Sequence, residues 1–169
     1  MADAESLESR VGQLLTARKQ TLVTAESCTG GLILHRLTNI AGSSAYVLGG
    51  FVTYSNESKV KFASVRAETL QTYGAVSEPT AREMAHGVRA AFGADFALSV
   101  TGIAGPGGAT GDKPVGLVYI GFVGAHVERV NEYRWQSDRE GNKALSADAA
   151  LQMLYDYLVA ISASKGHSA

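Results

Sequence analysis

The sequence predicts an α/β protein, a three-layer α/β/α sandwich built on a mixed, mostly parallel sheet. Three observations carry this prediction. Short apolar runs typical of buried strands alternate with longer segments of helical periodicity, as they do when helices connect parallel strands. The last two apolar runs, 115–123 and 127–136, lie only a few residues apart, which favours an antiparallel pair. No internal repeat, linker or low-complexity tract divides the chain, so residues 1–169 are interpreted as one domain.

The first half of the chain is predicted to alternate helix and strand. Apolar residues at helical spacing predict an amphipathic helix over 5–19, within an N-terminal segment 1–20. The next predicted elements are a strand over 21–25, a helix over 30–39 and a strand over 46–54. Gly49 and Gly50 lie inside that last strand, where a glycine pair indicates a bulge or the close approach of another backbone.

Capping signals locate the main helix of the second half. Ser77 is a favourable N-cap, Pro79 suits the first turn and Gly93 is typical of a helix end, so a helix is predicted over 78–91. The other predicted elements are short helices from 55 and over 66–73, strands over 95–100, 115–123 and 127–136, and a closing helix over 138–161. Residues 162–169 are expected to form a loose tail.

Composition excludes several classes of protein. The 169 residues are 46% apolar with a formal net charge of −1, so no bulk attraction to nucleic acid or membrane is expected. Cys28 is the single cysteine, which rules out a disulfide framework and a thiolate metal cluster. The start of the sequence lacks the apolar run of a secretory signal, and no stretch reaches the ~20 apolar residues of a membrane span. We therefore expect a cytoplasmic protein.

The segment TAESCTGG, residues 24–31, is the first candidate for chemistry. It indicates a strand, a tight turn and a helix start, with Ser27, Cys28 and Thr29 at the turn and Gly30 behind them. A helix start has unpaired N–H groups that attract anions and can stabilise an oxyanion next to a nucleophile. Cys28 competes with Ser27 for the place that faces the crevice, and a thiol there would be reactive. A simple helix cap with turn glycines is the alternative interpretation.

A serine nucleophile needs a base, and the histidines do not fall at predicted strand ends. Lys59 stands on the first turn of the helix that follows the second strand, where burial or the positive helix terminus would lower its pKa. Tyr54 lies nearby and is a candidate to relay a proton or to hold Lys59. The alternatives are a solvated lysine and a half-buried strand tyrosine.

The third strand runs into a glycine-rich loop, TGIAGPGG, residues 101–108. This loop lacks the endings of the known phosphate-loop motifs, but its amides can form an anion nest. If the first and third strands are neighbours, Thr101 and the turn at Ser27 meet in one crevice. Arg139, near the start of the last helix, is a candidate clamp for phosphate or carboxylate. No cluster has metal-ligand spacing, so no metal is expected.

Taken together, these segments resemble the CinA C-terminal domain family, the nicotinamide-nucleotide amidohydrolases. The resemblance rests on five segments between residues 24 and 139: TAESCTGG, AGSSAYVLGGFVTYSNESK, GAVSEPTAREMAHG, SVTGIAGPGGATGDKPVGLVYIG and SDR. It implies hydrolysis of the carboxamide of nicotinamide mononucleotide to nicotinate mononucleotide and ammonia, in pyridine nucleotide recycling, without metal or cofactor. The catalytic residues that it implies are Ser27 as nucleophile, assisted by Lys59 and Tyr54.

The resemblance also sets the expected substrate site, although the residue that holds the phosphate stays open. The substrate-binding residues that we predict are Cys28, Thr29, Gly30, Ser43, Ser44, Asn56, Thr101, Gly102, Gly105 and Arg139. Two departures accompany the match. Family members often have a second arginine shortly after the SDR segment, where this sequence has Asn142 and Lys143. Many also carry an N-terminal domain before the serine motif, so this chain is expected to be a stand-alone deamidase domain.

Two other functions stay open at the level of sequence. The first is a non-catalytic module that binds pyridine nucleotides or a partner, which would need the glycine loops but not Lys59. The second is a hydrolase that uses Cys28. Self-association into a homo-oligomer is expected in either case, because α/β sheets with an exposed edge often pair.

Overall fold

The computed structural model describes residues 5–165, which form a three-layer α/β/α sandwich. Within that range, six helices and five strands follow one another along the chain. Their bounds are α1 Leu7–Arg18, β1 Leu22–Glu26, α2 Leu32–Thr38, β2 Val47–Val52, α3 Asn56–Ala63, α4 Ala67–Tyr73, α5 Glu78–Phe92, β3 Phe96–Gly102, β4 Leu117–Gly124, β5 Val127–Arg134 and α6 Arg139–Lys165. A short 3₁₀ turn over Ser43–Ala45 precedes β2. The predicted fold class is confirmed.

The sheet of the described chain has the strand order β2-β1-β3-β4-β5. β1 pairs in parallel with both β2 and β3, whereas β4 is antiparallel to β3 and to β5. Only β4 therefore runs against the other strands, and the sheet is mixed and mostly parallel as predicted. Because β1 lies between β2 and β3, the carboxyl ends of these three strands meet at one edge of the sheet, where sites form in α/β proteins.

Two apolar clusters cover the two faces of the sheet. One joins α1, α2 and α6 to residues such as Leu22 and Leu98, and the other joins α5 to Val23 and Ala97. Successive residues of β1 and β3 thus point to opposite clusters, as the alternation of a strand requires. Both strands are buried on both faces, so even their polar residues, such as Thr24 and Ser99, are removed from solvent.

Local sequence signals account for the element boundaries. Ser77 accepts a hydrogen bond from the Thr80 N–H at the start of α5, and Gly93 ends that helix at φ +64°. The predicted irregularity in β2 is confirmed, because the β1–β2 register shifts between Val47 and Gly49 and leaves Leu48, next to the glycine pair, without a partner in β1. A Cβ on Gly50 would lie 2.4 Å from the Thr24 hydroxyl oxygen, so only glycine allows this approach.

Two predicted boundaries need correction. α2 begins at Leu32 rather than residue 30, because Gly30 and Gly31 have positive φ and belong to the preceding turn. α6 continues to Lys165 rather than ending at residue 161, and the Ser162 hydroxyl donates to the Leu158 carbonyl within it. The predicted tail is thus helical over 162–165, and its remainder lies outside the described residues. No helix within 5–165 is long and apolar enough to cross a membrane.

Candidate active site

A cavity of about 500 Å³ lies at the carboxyl ends of β1, β2 and β3. Its floor consists of Ser27 and Cys28 after β1 and Lys59 of α3. Its rim consists of Tyr54, Asn56, Arg139 and the loop 103–108. Ala75, Val76, Thr101 and Gly102 complete the wall. Among the described lining residues, Lys59 and Arg139 are the only charged groups and none is a carboxylate, so the cavity favours an anionic ligand.

Ser27 and Lys59 are in direct contact on the floor. The Lys59 amine Nζ lies 3.0 Å from the Ser27 hydroxyl oxygen Oγ and 2.8 Å from the Thr53 carbonyl oxygen, to which it donates. Lys59 is 1% exposed and Ser27 is 8% exposed. The alternative of a solvated surface lysine is therefore wrong. The structure thus brings together Ser27 and Lys59, the residues predicted as nucleophile and base, and their catalytic roles stay a prediction.

Burial shifts the pKa of Lys59. Removal of the amine from water lowers its pKa below the ordinary value of 10.5, because the charged form loses its hydration. Among residues 5–165, no carboxylate forms an ion pair with Lys59 that would oppose this shift. A neutral amine next to a hydroxyl can accept its proton, which is the requirement for a serine nucleophile.

Backbone hydrogen bonds between neighbouring strands fix the positions of Ser27 and of the carbonyl that holds Lys59. The Ser27 N–H donates to the Val100 carbonyl at 2.9 Å, and the Thr53 N–H donates to the Glu26 carbonyl at 2.8 Å. The parallel pairings of β1 therefore continue past its end on both sides. Ser27 and the carbonyl that holds Lys59 are thus set by adjacent strands rather than by a free loop.

The start of α3 is fixed by a capping box. The Ser55 hydroxyl accepts from the Ser58 N–H at 3.1 Å, and the Ser58 hydroxyl accepts from the Ser55 N–H at 3.2 Å. The Lys59 N–H then donates to the Ser55 carbonyl at 3.1 Å. Lys59 therefore leaves the first turn of a helix whose start is fixed by side-chain caps.

Glu26 has a structural role that the sequence did not reveal. Its fully buried carboxylate accepts the N–H groups of Gly31, Ile33 and Leu34 at 3.0–3.1 Å. The positive start of α2 is thus occupied by the protein's own anion, and the expectation that it attracts a ligand anion is wrong. An acid followed five residues later by a glycine at a helix start is the signal that could have indicated this cap.

Cys28 is a poor nucleophile in this environment. The thiol is 6% exposed and burial raises its pKa to about 12, so it is protonated at neutral pH. It lines the same cavity as Ser27, but the Lys59 amine makes its hydrogen bond to the serine. Within the described chain, the N–H groups of Cys28 and Thr29 donate to no backbone carbonyl, whereas that of Gly30 donates to the Ser27 carbonyl.

Tyr54 and Arg139 meet at the rim. The Arg139 guanidinium donates to the Tyr54 hydroxyl at 2.9 Å and to the Gly105 carbonyl at 2.6 Å. Tyr54 is 60% exposed, and in the part of the chain that the structure describes no hydrogen bond joins it to Lys59. Tyr54 is therefore bonded directly to Arg139, whereas Tyr54 and Lys59 share only the cavity that both line.

The remaining wall of the cavity is held by close packing and by Thr101. The Thr101 hydroxyl donates to the Ala75 carbonyl at 2.7 Å and so fixes the segment that faces Ser27 across the cavity. A Cβ on Gly102 would lie 2.6 Å from Val118 Cγ2, and one on Gly105 would lie 2.5 Å from Val115 Cγ1. These two glycines are required for the course of the loop.

Asn142 is a further residue that the sequence did not assign to the site. Its side chain is buried, donates to the Ala104 carbonyl at 3.0 Å and accepts from the Ser137 N–H at 3.1 Å. Arg139 holds the next carbonyl, that of Gly105, from the same face of α6. Residues three apart on a helix share a face. Arg139 and Asn142, at the start of α6, therefore donate hydrogen bonds to two successive carbonyls of the loop, those of Gly105 and Ala104.

Four predicted substrate-binding residues lie away from the cavity lining. Ser43 and Ser44 precede β2 and therefore stand at its amino end, where they border a separate hollow beside Leu48. Thr29 and Gly30 form the turn behind Ser27, where the Thr29 hydroxyl is buried without a partner among the described residues. The other predicted residues, namely Cys28, Asn56, Thr101, Gly102, Gly105 and Arg139, line the cavity.

Fold and site together define a three-layer α/β protein with a buried serine–lysine pair at its strand ends. The chain belongs to the CinA C-terminal domain family, whose model matches residues 4–158. No histidine lines the cavity, and no group of three or more His, Cys, Asp or Glu in the described range could hold a metal ion.

Relatives and solved structures agree with this membership. A putative competence-damage inducible protein of Moorella thermoacetica is 52% identical over 153 residues, which are 90% of this chain and 37% of the relative. A CinA-like protein of Chloroherpeton thalassium is 52% identical over 157 residues, 90% of this chain and 37% of its own length. The chain thus spans just over a third of these curated relatives.

Two crystal structures show the same fold. A CinA superfamily protein from Klebsiella pneumoniae superposes with a TM-score of 0.87 at 37% identity, covering 90% of this chain and 96% of that one. The competence/damage inducible protein CihA from Agrobacterium tumefaciens gives a TM-score of 0.84 at 43% identity, with 91% and 97% covered.

Proposed function

We propose that this chain is a nicotinamide-nucleotide amidohydrolase that converts nicotinamide mononucleotide and water to nicotinate mononucleotide and ammonia. The observation that carries the proposal is the 3.0 Å contact between the Ser27 hydroxyl and a buried lysine amine. The substrate class comes from the family resemblance in the motifs, and the charges of the cavity fit it. The proposed setting is the cytoplasm, in pyridine nucleotide recycling.

The first half of the reaction forms an acyl-enzyme. Ser27 Oγ attacks the carboxamide carbon while the neutral Lys59 amine accepts the hydroxyl proton. The N–H groups of Cys28 and Thr29, which no backbone carbonyl of the described chain accepts, are the proposed donors to the oxyanion. The tetrahedral intermediate collapses when Lys59 returns the proton to the leaving nitrogen. The C–N bond breaks, ammonia departs, and the nicotinoyl group remains as an ester on Ser27.

The second half is the same chemistry with water as nucleophile. Lys59 is neutral again and removes a proton from water, whose oxygen attacks the ester carbon. Collapse of this intermediate returns the proton to Ser27 Oγ and releases the carboxylic acid, which loses its remaining proton to solvent and becomes the carboxylate. No group outside the floor is required for either proton transfer, because a single amine serves both steps.

The charges of floor and rim suit the two ends of this substrate. The nicotinamide ring of a mononucleotide is a cationic pyridinium, which a neutral Lys59 tolerates and a protonated lysine would repel. The phosphate is anionic, and Arg139 has no carboxylate partner among residues 5–165. Arg139 and the loop 103–108 are therefore the proposed phosphate side, with Tyr54 assisting by holding the guanidinium.

The decisive experiment is ammonia release from nicotinamide mononucleotide with chelator present. Wild type should release ammonia, and Ser27→Ala should lose at least about 10³-fold in kcat because the nucleophile is absent. Cys28→Ala is the matched control, since it removes the neighbouring nucleophile from the same cavity and should stay active. Retained turnover in Ser27→Ala would contradict the proposal. Nucleotide binding without turnover by the wild type would instead favour the sensor module.

A further inference from the structure

Two neighbouring carbonyls of the glycine-rich loop are held from α6, and their peptide groups differ in what else they offer. The Asn142 side chain donates to the Ala104 carbonyl at 3.0 Å, and the Arg139 guanidinium donates to the Gly105 carbonyl at 2.6 Å. The nitrogen after the Gly105 carbonyl belongs to Pro106 and carries no hydrogen. The nitrogen after the Ala104 carbonyl is the Gly105 N–H. Asn142 therefore holds a peptide group that still has a donor to offer.

The Gly105 N–H is a donor without an acceptor. Gly105 is a buried residue, and its N–H makes no hydrogen bond to any group of residues 5–165. Buried backbone N–H groups are nearly always paired, so an unpaired one calls for a partner from outside the chain. Gly105 lines the cavity, where such a partner can reach it.

The direction of this N–H follows from the geometry of the peptide group. Ala104 and Gly105 line the cavity, whereas Asn142 is buried and lies outside the lining. The bond between Ala104 and Gly105 is trans, and the carbonyl and N–H of a trans peptide point in opposite directions. Since the Ala104 carbonyl points to Asn142, behind the loop, the Gly105 N–H points to the cavity side.

We propose that Asn142 is a positioning residue that turns the Gly105 N–H into the cavity as a hydrogen-bond donor to a phosphate monoester of the bound ligand. This role rests on the proposed function, which puts the phosphate of the substrate at the rim. Arg139 contacts the carbonyl of the same Gly105, so the guanidinium and the N–H stand side by side. Together they bind oxygens of one phosphate, as charge-assisted donors do.

Both ends of the Asn142 amide are used in this arrangement. While its nitrogen donates to the Ala104 carbonyl, its oxygen accepts the Ser137 N–H at 3.1 Å, two residues before Arg139. An amide supplies a donor and an acceptor at once, which a carboxylate or an apolar side chain cannot do. Asn142 thus fixes the loop relative to the segment that leads into Arg139, before any ligand binds.

Ser146 provides a matched control on the same helix. Its buried hydroxyl donates to the Asn142 backbone carbonyl at 2.7 Å and accepts the Trp135 indole N–H at 3.0 Å. Ser146→Ala therefore removes two hydrogen bonds of a buried side chain, as Asn142→Ala does, but leaves the bond to the Ala104 carbonyl in place. A loss of stability alone should affect both variants alike.

The first measurement is the affinity for nicotinamide mononucleotide, by calorimetry in a Ser27→Ala background that cannot form the acyl-enzyme. Asn142→Ala should weaken binding at least about tenfold, because a donor to a charged group is misdirected, and Ser146→Ala should stay within about twofold. With Ser27 present, KM should rise by a similar factor in Asn142→Ala while kcat changes little. Unchanged affinity in Asn142→Ala, equal weakening by Ser146→Ala, or a fall in kcat at constant KM would each overturn the proposal.

The amide resonance of Gly105 keeps the test valid if Asn142→Ala fails to fold. Ribose 5-phosphate, which carries the phosphate monoester but no carboxamide, is titrated into the wild type at millimolar concentration and followed by NMR. The Gly105 amide proton should shift downfield, as a new hydrogen bond requires. An unmoved Gly105 resonance would overturn this inference even if the wild type released ammonia. A Gly105 shift in a wild type without ammonia release would support it and contradict only the amidohydrolase activity.

Discussion

The floor and the rim of the cavity differ in how their groups are held. On the floor, Lys59 is 1% exposed and bonded to Ser27 and to a backbone carbonyl at 2.8–3.0 Å. On the rim, Tyr54 is 60% exposed and Arg139 is bonded to a neutral hydroxyl and a carbonyl. Burial tunes the pKa of the floor amine, whereas exposure lets rim groups exchange partners with a ligand. Floor changes should therefore act on kcat and rim changes on KM.

The largest effect is expected for Lys59→Met, which keeps the length and removes the base. We expect kcat to fall about 10³-fold because Lys59 is the only side chain of residues 5–165 that is hydrogen-bonded to the Ser27 hydroxyl, while KM for nicotinamide mononucleotide changes little. Steady-state ammonia release measures both constants, and circular dichroism checks the fold. Lys61→Met, an exposed lysine on the same helix, is the control and should leave kcat unchanged.

The pH dependence of activity follows from the protonation of Lys59 on the cavity floor. Activity requires the neutral amine, so kcat/KM should rise with pH by about tenfold per unit until the pKa of Lys59 and then level off. Because burial lowers that pKa, the midpoint should fall below 10.5. Rates across a pH series measure it, with Cys28→Ala as control to remove the thiol. A midpoint at or above 10.5 would show that Lys59 is not the base.

Arg139→Ala tests the rim. We expect KM to rise about thirtyfold, equivalent to about 2 kcal/mol of a charge-assisted contact, with kcat changed much less. Arg129→Ala removes an exposed arginine from β5 and should leave both constants unchanged. If Arg139→Ala lowered kcat while KM stayed constant, the division between floor and rim would be wrong.

The smallest effect is expected for Tyr54→Phe, which removes one acceptor of Arg139. A loss of about fivefold in kcat/KM, mainly through KM, corresponds to about 1 kcal/mol for a neutral hydrogen bond partner. A direct proton role of Tyr54 would instead lower kcat strongly and alter the pH profile. Comparing Tyr54→Phe in the wild-type and Arg139→Ala backgrounds separates the two, because the effect through Arg139 disappears when the guanidinium is absent.

Much of the fold could be predicted from short segments of the sequence. Ser77 and Gly93 bracket α5 as predicted, the two final strands form the predicted antiparallel pair, and the glycine pair of β2 marks its register shift. Each of these features depends on the chain within a few residues. The limits of α2 and α6 were less accurate, because frayed or extended helix ends depend on small local differences in free energy.

The site could be predicted only in part, because some of its contacts join residues that are distant in sequence. The turn at Ser27 and the helix start before Lys59 follow from local signals, and both residues were candidates. The separation of Ser43 and Ser44 from the cavity was not predicted, because it depends on which end of β2 faces the site. The hydrogen bond from the Asn142 side chain to the Ala104 carbonyl joins residues far apart in sequence. No pattern of neighbouring residues indicates that an asparagine side chain will be buried and bonded in this way.

Neighbouring residues in the chain indicated the order of helices and strands and the caps that end them, and they made Ser27, Cys28 and Lys59 candidates for the site. Three features arise only from the folded arrangement: β1 lies between β2 and β3, Lys59 is buried against Ser27, and Glu26 occupies the start of α2. The physical reason is that local backbone preference is encoded by neighbours in the chain. Burial, and with it the pKa of Lys59, arises only when distant segments exclude water together.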